Sequence, residues 1–194
     1  MNKTKIEIKL SGLSDILFNR FIDHSKGKRP PEQLFYITEG NKLVLPNLNI
    51  DAFLFGENPG GCAKTFEGKK GKEYIRMGGG HVHISPNLIH FQDDKNKDME
   101  FNGFEDDSRF WILEQGGRTK SGNLSIKQEP QPRPAMRLPW NLEFSIDLVK
   151  NGLIDGTKLY NWFCAGGLQI ALGAYRPKFG RFEVVKWDEK EIEL

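Results

Sequence analysis

Lys5 to Leu10 alternates charged and apolar residues (Lys-Ile-Glu-Ile-Lys-Leu), the period of a half-buried strand. Ser11-Gly12 ends it. Leu13, Leu17, Phe18 and Phe21 then recur at helical spacing and predict a short helix or turn packed on the sheet. A polar, breaker-rich loop runs from His24 to Glu32. Gln33 to Thr38 and Lys42 to Leu45 read as a short hairpin around Glu39-Gly40-Asn41, where Gly and Asn tolerate positive φ. Asn49 is placed to cap a helix from about Ile50, with Ile50, Phe53 and Leu54 on one face. Asn58-Pro59-Gly60-Gly61 breaks that helix, and Cys62 to Phe66 continues it.

Farther along, Lys64, Lys69, Lys70 and Lys72 form a basic, glycine-containing loop that runs out to Arg76. Gly78-Gly79-Gly80 introduces a strand over His81 to Ser85, and Gln92 to Asp107 reads as an exposed acidic excursion. Arg109 to Leu113 and Asn123 to Ile126 look like the strands of a hairpin. The prolines between Gln128 and Pro139 demand an extended connector. Trp140 to Leu148 is the strongest strand pattern, with Trp140, Leu142, Phe144, Ile146 and Leu148 on one face. Leu159, Trp162, Phe163 and Gly166 trace a helix face from about Thr157, and Arg181 to Trp187 is a last strand before an acidic tail. This order predicts an α+β fold with helices on one face of an antiparallel sheet.

Composition narrows the function. The 194 residues, 38% hydrophobic with 14 Phe, suffice for one large domain with a real core. The net charge of +2 is too small to argue nucleic-acid binding, so any such partner must meet a local basic surface. Cys62 and Cys164 are the only cysteines, too few for a disulfide framework or a zinc cluster. No signal-peptide pattern opens the chain and no apolar run reaches the roughly 18 residues of a membrane helix, so a cytoplasmic protein without a membrane partner is expected.

One segment concentrates the candidate chemistry. Between a helix end at Ala165-Gly166 and the last strand lies a glycine-punctuated loop carrying Gly173, Tyr175, Arg176, Lys178, Gly180 and Arg181. Glycine lets backbone amides approach a ligand closely. Arg offers a planar fork for phosphate, Lys a point charge, and Tyr175 and Phe179 offer faces for bases. Lys26, Lys28 and Arg29 in one loop, Lys69, Lys70 and Lys72 in another, and Arg118 and Lys120 at a hairpin tip are candidates to extend a basic groove. The four tryptophans are expected in core or edge packing. His81 and His83, two apart, would share a strand face and are weak metal candidates, with His90, Asp93 or Asp94 as further ligands. No other cofactor is indicated. The segment Gly56 to Lys64 lacks the Gly-Lys-Ser/Thr of a phosphate loop.

Three motifs together resemble phage-encoded proteins similar to the RAMP superfamily, which includes CRISPR backbone and repeat-processing subunits. They are Gly12-Leu13-Ser14-Asp15-Ile16-Leu17-Phe18-Asn19-Arg20-Phe21 after the first strand, Arg133-Pro134 leading into Leu138-Pro139-Trp140, and Gly173-Ala174-Tyr175-Arg176-Pro177-Lys178-Phe179-Gly180-Arg181-Phe182. The resemblance implies a ferredoxin-like (RRM-type) sheet with helices on one face, a C-terminal glycine-rich loop, and binding of single-stranded RNA or DNA without catalysis. It implies a single domain over 1–194 with a large insertion at about 40–107. It also leaves open self-association, or binding or mimicry of a host defence complex through the acidic stretch Asp93 to Asp107. A His- or metal-dependent ribonuclease is the remaining alternative, since related processing subunits often place a His near the glycine loop.

Overall fold

The computed structural model describes residues 3–20, 29–58, 60–114 and 132–192. The strands are β1 (Lys3–Gly12), β2 (Ile16–Leu17), β3 (Val44–Pro46), β4 (Val82–Ser85), β5 (Leu88–Gln92), β6 (Phe110–Leu113), β7 (Arg133–Met136), β8 (Asn141–Val149) and β9 (Phe182–Ile192). The α-helices are α1 (Asn47–Phe55), α2 (Cys62–Phe66), α3 (Gly71–His81) and α4 (Gly156–Gln169). The main sheet is antiparallel in the order β3-β5-β8-β1-β9, with β4 also pairing β8. Taken as β1, α1–α3, β4, β8, α4 and β9, the chain follows the ferredoxin-like βαββαβ order, with β9-β1-β8-β4 side by side. The α+β, ferredoxin-like expectation therefore holds. None of the described helices is long and apolar enough to cross a membrane.

Alternation sets the two faces of the sheet. Ile6, Ile8 and Leu10 of β1 lie opposite Ile146, Phe144 and Leu142 of β8, and all of them are buried beneath the helices. Phe163 of α4 and Phe53 of α1 meet over this layer at 5.4 Å, and both touch Phe182 of β9. Burying each such ring is worth about 2–3 kcal/mol. The opposite face carries Lys3, Lys5, Lys9, Lys186 and Lys190, balanced by Glu7, Glu143, Asp147, Glu183 and Asp188.

Several local expectations are corrected. Residues 13–18 form no helix: Ile16 and Leu17 make a short strand against β7, both buried because protein covers both of its sides. The basic segment 64–72 is helical, running through α2, a 3-10 turn (Gly68–Lys70) and α3. Gly78-Gly79-Gly80 lies inside α3, and the expected strand follows it as β4 (Val82–Ser85). At Gly78 a Cβ would stand 2.4 Å from the Phe55 ring, so that glycine serves helix–helix contact. α1 starts at Asn47 after Pro46, without a side-chain cap from Asn49. Residues 92–107 are not wholly exposed, since Met99 and Phe101 are buried and Phe101 stacks near Phe35, Phe104 and Phe110. The partner of β6 is β7, drawn from the proline-rich connector; the expected partner at 123–126 lies outside the described residues. The acidic tail continues β9 to Ile192.

Candidate nucleic-acid interface

The glycine loop leaves α4 at Ile170 and returns into β9 at Phe182, and it is shaped by left-handed backbone. Residues Ala171, Gly173, Tyr175 and Gly180 have φ of 64°, 77°, 53° and 73°. From Ile170 to Tyr175 the sign of φ alternates, as in the backbone concavities that gather N–H groups around anions. Glycine is required at two points. A Cβ on Gly173 would stand 2.4 Å from the Leu17 oxygen, and one on Gly180 would stand 1.9 Å from the Leu172 oxygen.

The loop is pinned to the turn between β1 and β2 by backbone bonds. Leu13 N donates to Arg181 O at 2.7 Å, Gly180 N to Asp15 O at 2.7 Å, and Ala174 N to Leu17 O at 2.8 Å. Leu172 N donates to Gly180 O at 2.9 Å and closes the loop on itself. Arg181 N donates to Ser14 Oγ at 3.0 Å. The amides of Gly173 and Tyr175 donate to no other described residue.

Facing this loop is the three-stranded sheet β2-β7-β6. Arg133, Ala135 and Arg137 alternate along β7 and just beyond it, and Trp111 lies opposite Ala135. The two surfaces meet through one cation–aromatic pair, Arg133 with Tyr175, and one aromatic pair, Trp111 with Phe179; two further cation–aromatic pairs lie within the sheet and within the loop. The Arg133 guanidinium is 5.9 Å from the Tyr175 ring centre, Arg137 is 5.6 Å from Trp111, and the Lys178 ammonium is 5.7 Å from Phe179. Trp111 and Phe179 are 6.2 Å apart. Trp111 Nε1 donates to Asp15 Oδ2 at 3.0 Å, which fixes the indole plane. Nε and Nη1 of Arg133 are buried and donate no hydrogen bond to any of the described residues. An unsatisfied buried guanidinium is costly in a protein and calls for an acceptor.

The candidate residues from the sequence are distributed unevenly over this geometry. Gly173, Tyr175, Lys178 and Arg181 lie together on the loop, with Lys178 and Arg181 exposed. Arg176 is half-buried and turned inward, its Nη1 3.5 Å from Ala171 O. Burial pushes its guanidinium below the usual range, with the buried Cys62 thiol nearby acting the other way. Burial likewise pushes the Cys62 thiol far up, which leaves it no nucleophilic character at neutral pH. Arg29 donates to Gln33 Oε1 at 3.1 Å, beside a 3-10 turn (Pro31–Leu34) that packs against β7. Lys26, Lys28, Arg118 and Lys120 lie outside the described residues.

Lys69, Lys70 and Lys72 are exposed around the start of α3, and no contact among the described residues joins them to the loop. The neighbouring Glu67 accepts from Lys158 Nζ and Trp162 Nε1, each at 3.0 Å, and ties α2 to α4. His81 and His83 share no strand face. His81 ends α3 with Nδ1 3.0 Å from Met77 O, while His83 is exposed on β4. Among the described residues no group of three or more His, Cys, Asp or Glu is placed to hold a metal ion.

Arg133, Arg137, Trp111 and Asp15 were not foreseen as site residues. The signal for the two arginines was the Arg-x-Ala-x-Arg alternation inside the proline-rich connector, which puts both on one face once that segment is read as a strand. Trp111 is half-buried at the edge of the small sheet, unlike the fully buried Trp140.

No family model matches the sequence, and no curated protein matches it. Among solved structures, a chain of a type III-B Cmr-beta complex bound to cognate target RNA, seen by cryo-electron microscopy, superposes with a TM-score of 0.50 at 15% identity. The match covers 97% of this chain but only 61% of that one. At this identity the likeness concerns the fold alone, and it agrees with the ferredoxin-like arrangement described above.

Proposed function

We propose that this protein binds single-stranded nucleic acid on the surface formed by the glycine loop and the β2-β7-β6 sheet, as a binder and not as a nuclease. The observation that carries this reading is the set of cation–aromatic pairs on that surface, with buried Arg133 N–H groups that have no acceptor among the described residues. Phosphates supply acceptors for Arg133, Lys178, Arg181 and the free loop amides. Tyr175, Phe179 and Trp111 supply faces on which bases stack, worth about 1–3 kcal/mol per base. The structural neighbour belongs to a complex that was seen with target RNA, which supports the same ligand class here.

The open face of the main sheet is a poor alternative. RRM sheets bind bases through aromatics on their central strands. Here the corresponding positions on β1 and β8 are Lys5, Glu7, Lys9, Glu143, Ser145 and Asp147, with three negative charges against two positive and no aromatic ring. The strand is therefore held at the loop end of the fold and not across the sheet.

The test is Arg133→Met, which keeps the apolar stem and removes the unpaired guanidinium. Binding of a labelled single strand is expected to weaken about tenfold or more, while thermal stability stays equal or rises. Unchanged binding would remove the central contact of this proposal. A large loss of stability would mark Arg133 as a structural residue instead.

A further inference from the structure

We infer that Asp15 reads the sugar of the bound strand, accepting the 2′-hydroxyl of the nucleotide stacked at Trp111 and so favouring RNA over DNA; this rests on the single-strand reading above. Asp15 lies between β1 and β2, and the glycine loop is anchored on its main-chain oxygen through Gly180 N at 2.7 Å. Its Oδ2 accepts from Trp111 Nε1 at 3.0 Å. Its half-buried carboxylate thus sits beside the indole, and Oδ1 accepts no hydrogen bond from any other described residue.

A carboxylate is an odd component of a phosphate-binding surface, because it repels the ligand's backbone. Holding the Trp111 indole does not require it, since an asparagine oxygen would accept the same N–H. What the charged group adds is a strong acceptor with no competing donor. Within a nucleic-acid strand the 2′-hydroxyl is the sugar donor that RNA has and DNA lacks. The carboxylate therefore costs affinity for both strands and returns it for RNA alone.

The experiment compares fluorescence anisotropy of labelled RNA, DNA and 2′-O-methyl RNA of one sequence, for the wild type and Asp15→Asn. Wild type is expected to bind RNA about tenfold tighter than DNA or the methylated strand, the effect of one charge-assisted hydrogen bond. In Asp15→Asn the ratio is expected to fall to about one, chiefly through weaker RNA binding. Equal affinity of the wild type for RNA and DNA overturns the inference, and so does a preference that persists in Asp15→Asn. A role confined to holding Trp111, which asparagine keeps, would leave the ratio intact in Asp15→Asn, which also overturns it. Failure to bind any strand refutes the single-strand reading itself, a separate result. If Asp15→Asn does not fold, the comparison of RNA with 2′-O-methyl RNA in the wild type tests the same hydroxyl.

Discussion

Replacing Gly180 by alanine tests whether the loop is built as described. The residue has φ of 73°, which costs a residue with a Cβ about 1–2 kcal/mol. The added Cβ would stand 1.9 Å from the Leu172 oxygen, so the backbone must move by more than an ångström. That movement breaks the Gly180 N to Asp15 O and Leu172 N to Gly180 O bonds, worth about 1 kcal/mol each. The expected loss is about 3–4 kcal/mol, or about 10 °C in Tm for a domain of this size. Two controls separate the contributions. Gly68 has φ of 55° but open space around its Cβ position, so Gly68→Ala should cost only about 1 kcal/mol. Gly79 is helical with open space, so Gly79→Ala should stabilise by about 0.5–1 kcal/mol. Urea unfolding followed by tryptophan fluorescence reads all three. If Gly180→Ala costs no more than Gly68→Ala, the close approach to Leu172 is wrong, and the loop geometry on which the binding surface depends is wrong with it.

Two further substitutions probe the neighbouring charges. Arg176→Met should weaken single-strand binding less than Lys178→Ala does, because Arg176 is turned inward to Ala171 O; anisotropy on both variants decides this, and the reverse order would place Arg176 among the ligand contacts. Glu67→Gln should cost about 1–2 kcal/mol near neutral pH, since Glu67 accepts from Lys158 and Trp162. Burial works against the charged form of Glu67, but those bonds hold its carboxyl below the ordinary value. Its stabilisation is thus complete above the unfolded pKa of about 4.3 and is lost as pH falls through the lower folded value. Chemical denaturation across pH should show the gap between wild type and Glu67→Gln closing in acid; a gap constant with pH would contradict this assignment.

Long alternations were the legible part of the fold. β1 and β8 follow strict period-two patterns, and the Leu159, Trp162, Phe163, Gly166 face of α4 was readable because helix and core spacing agree. Short or contested segments were not. Leu13, Leu17 and Phe18 look helical in spacing, yet Ile16 and Leu17 form a strand because β7, distant in sequence, supplies the hydrogen bonds. Gly78 to Gly80 read as a break, but the helix persists because Phe55 fills the space a side chain would take at Gly78. Half of the candidate site was legible because Lys178, Arg181 and Tyr175 sit on one glycine loop, close together in the chain. The other half comes from β6 and β7, whose pairing with each other and contact with the loop join residues far apart in the chain.

The central claim is that phosphates meet the cations of the glycine loop and β7. The measurement that tests it most directly is the salt dependence of single-strand affinity for the wild type and the Lys178→Ala/Arg181→Ala variant. If Arg133, Arg137, Lys178 and Arg181 each neutralise one phosphate, log affinity should fall against log salt with a slope of about −2.8, at about 0.7 per contact. Removing Lys178 and Arg181 should halve that slope to about −1.4. A slope unchanged by the double substitution, or no single-strand binding at low salt, would contradict the account.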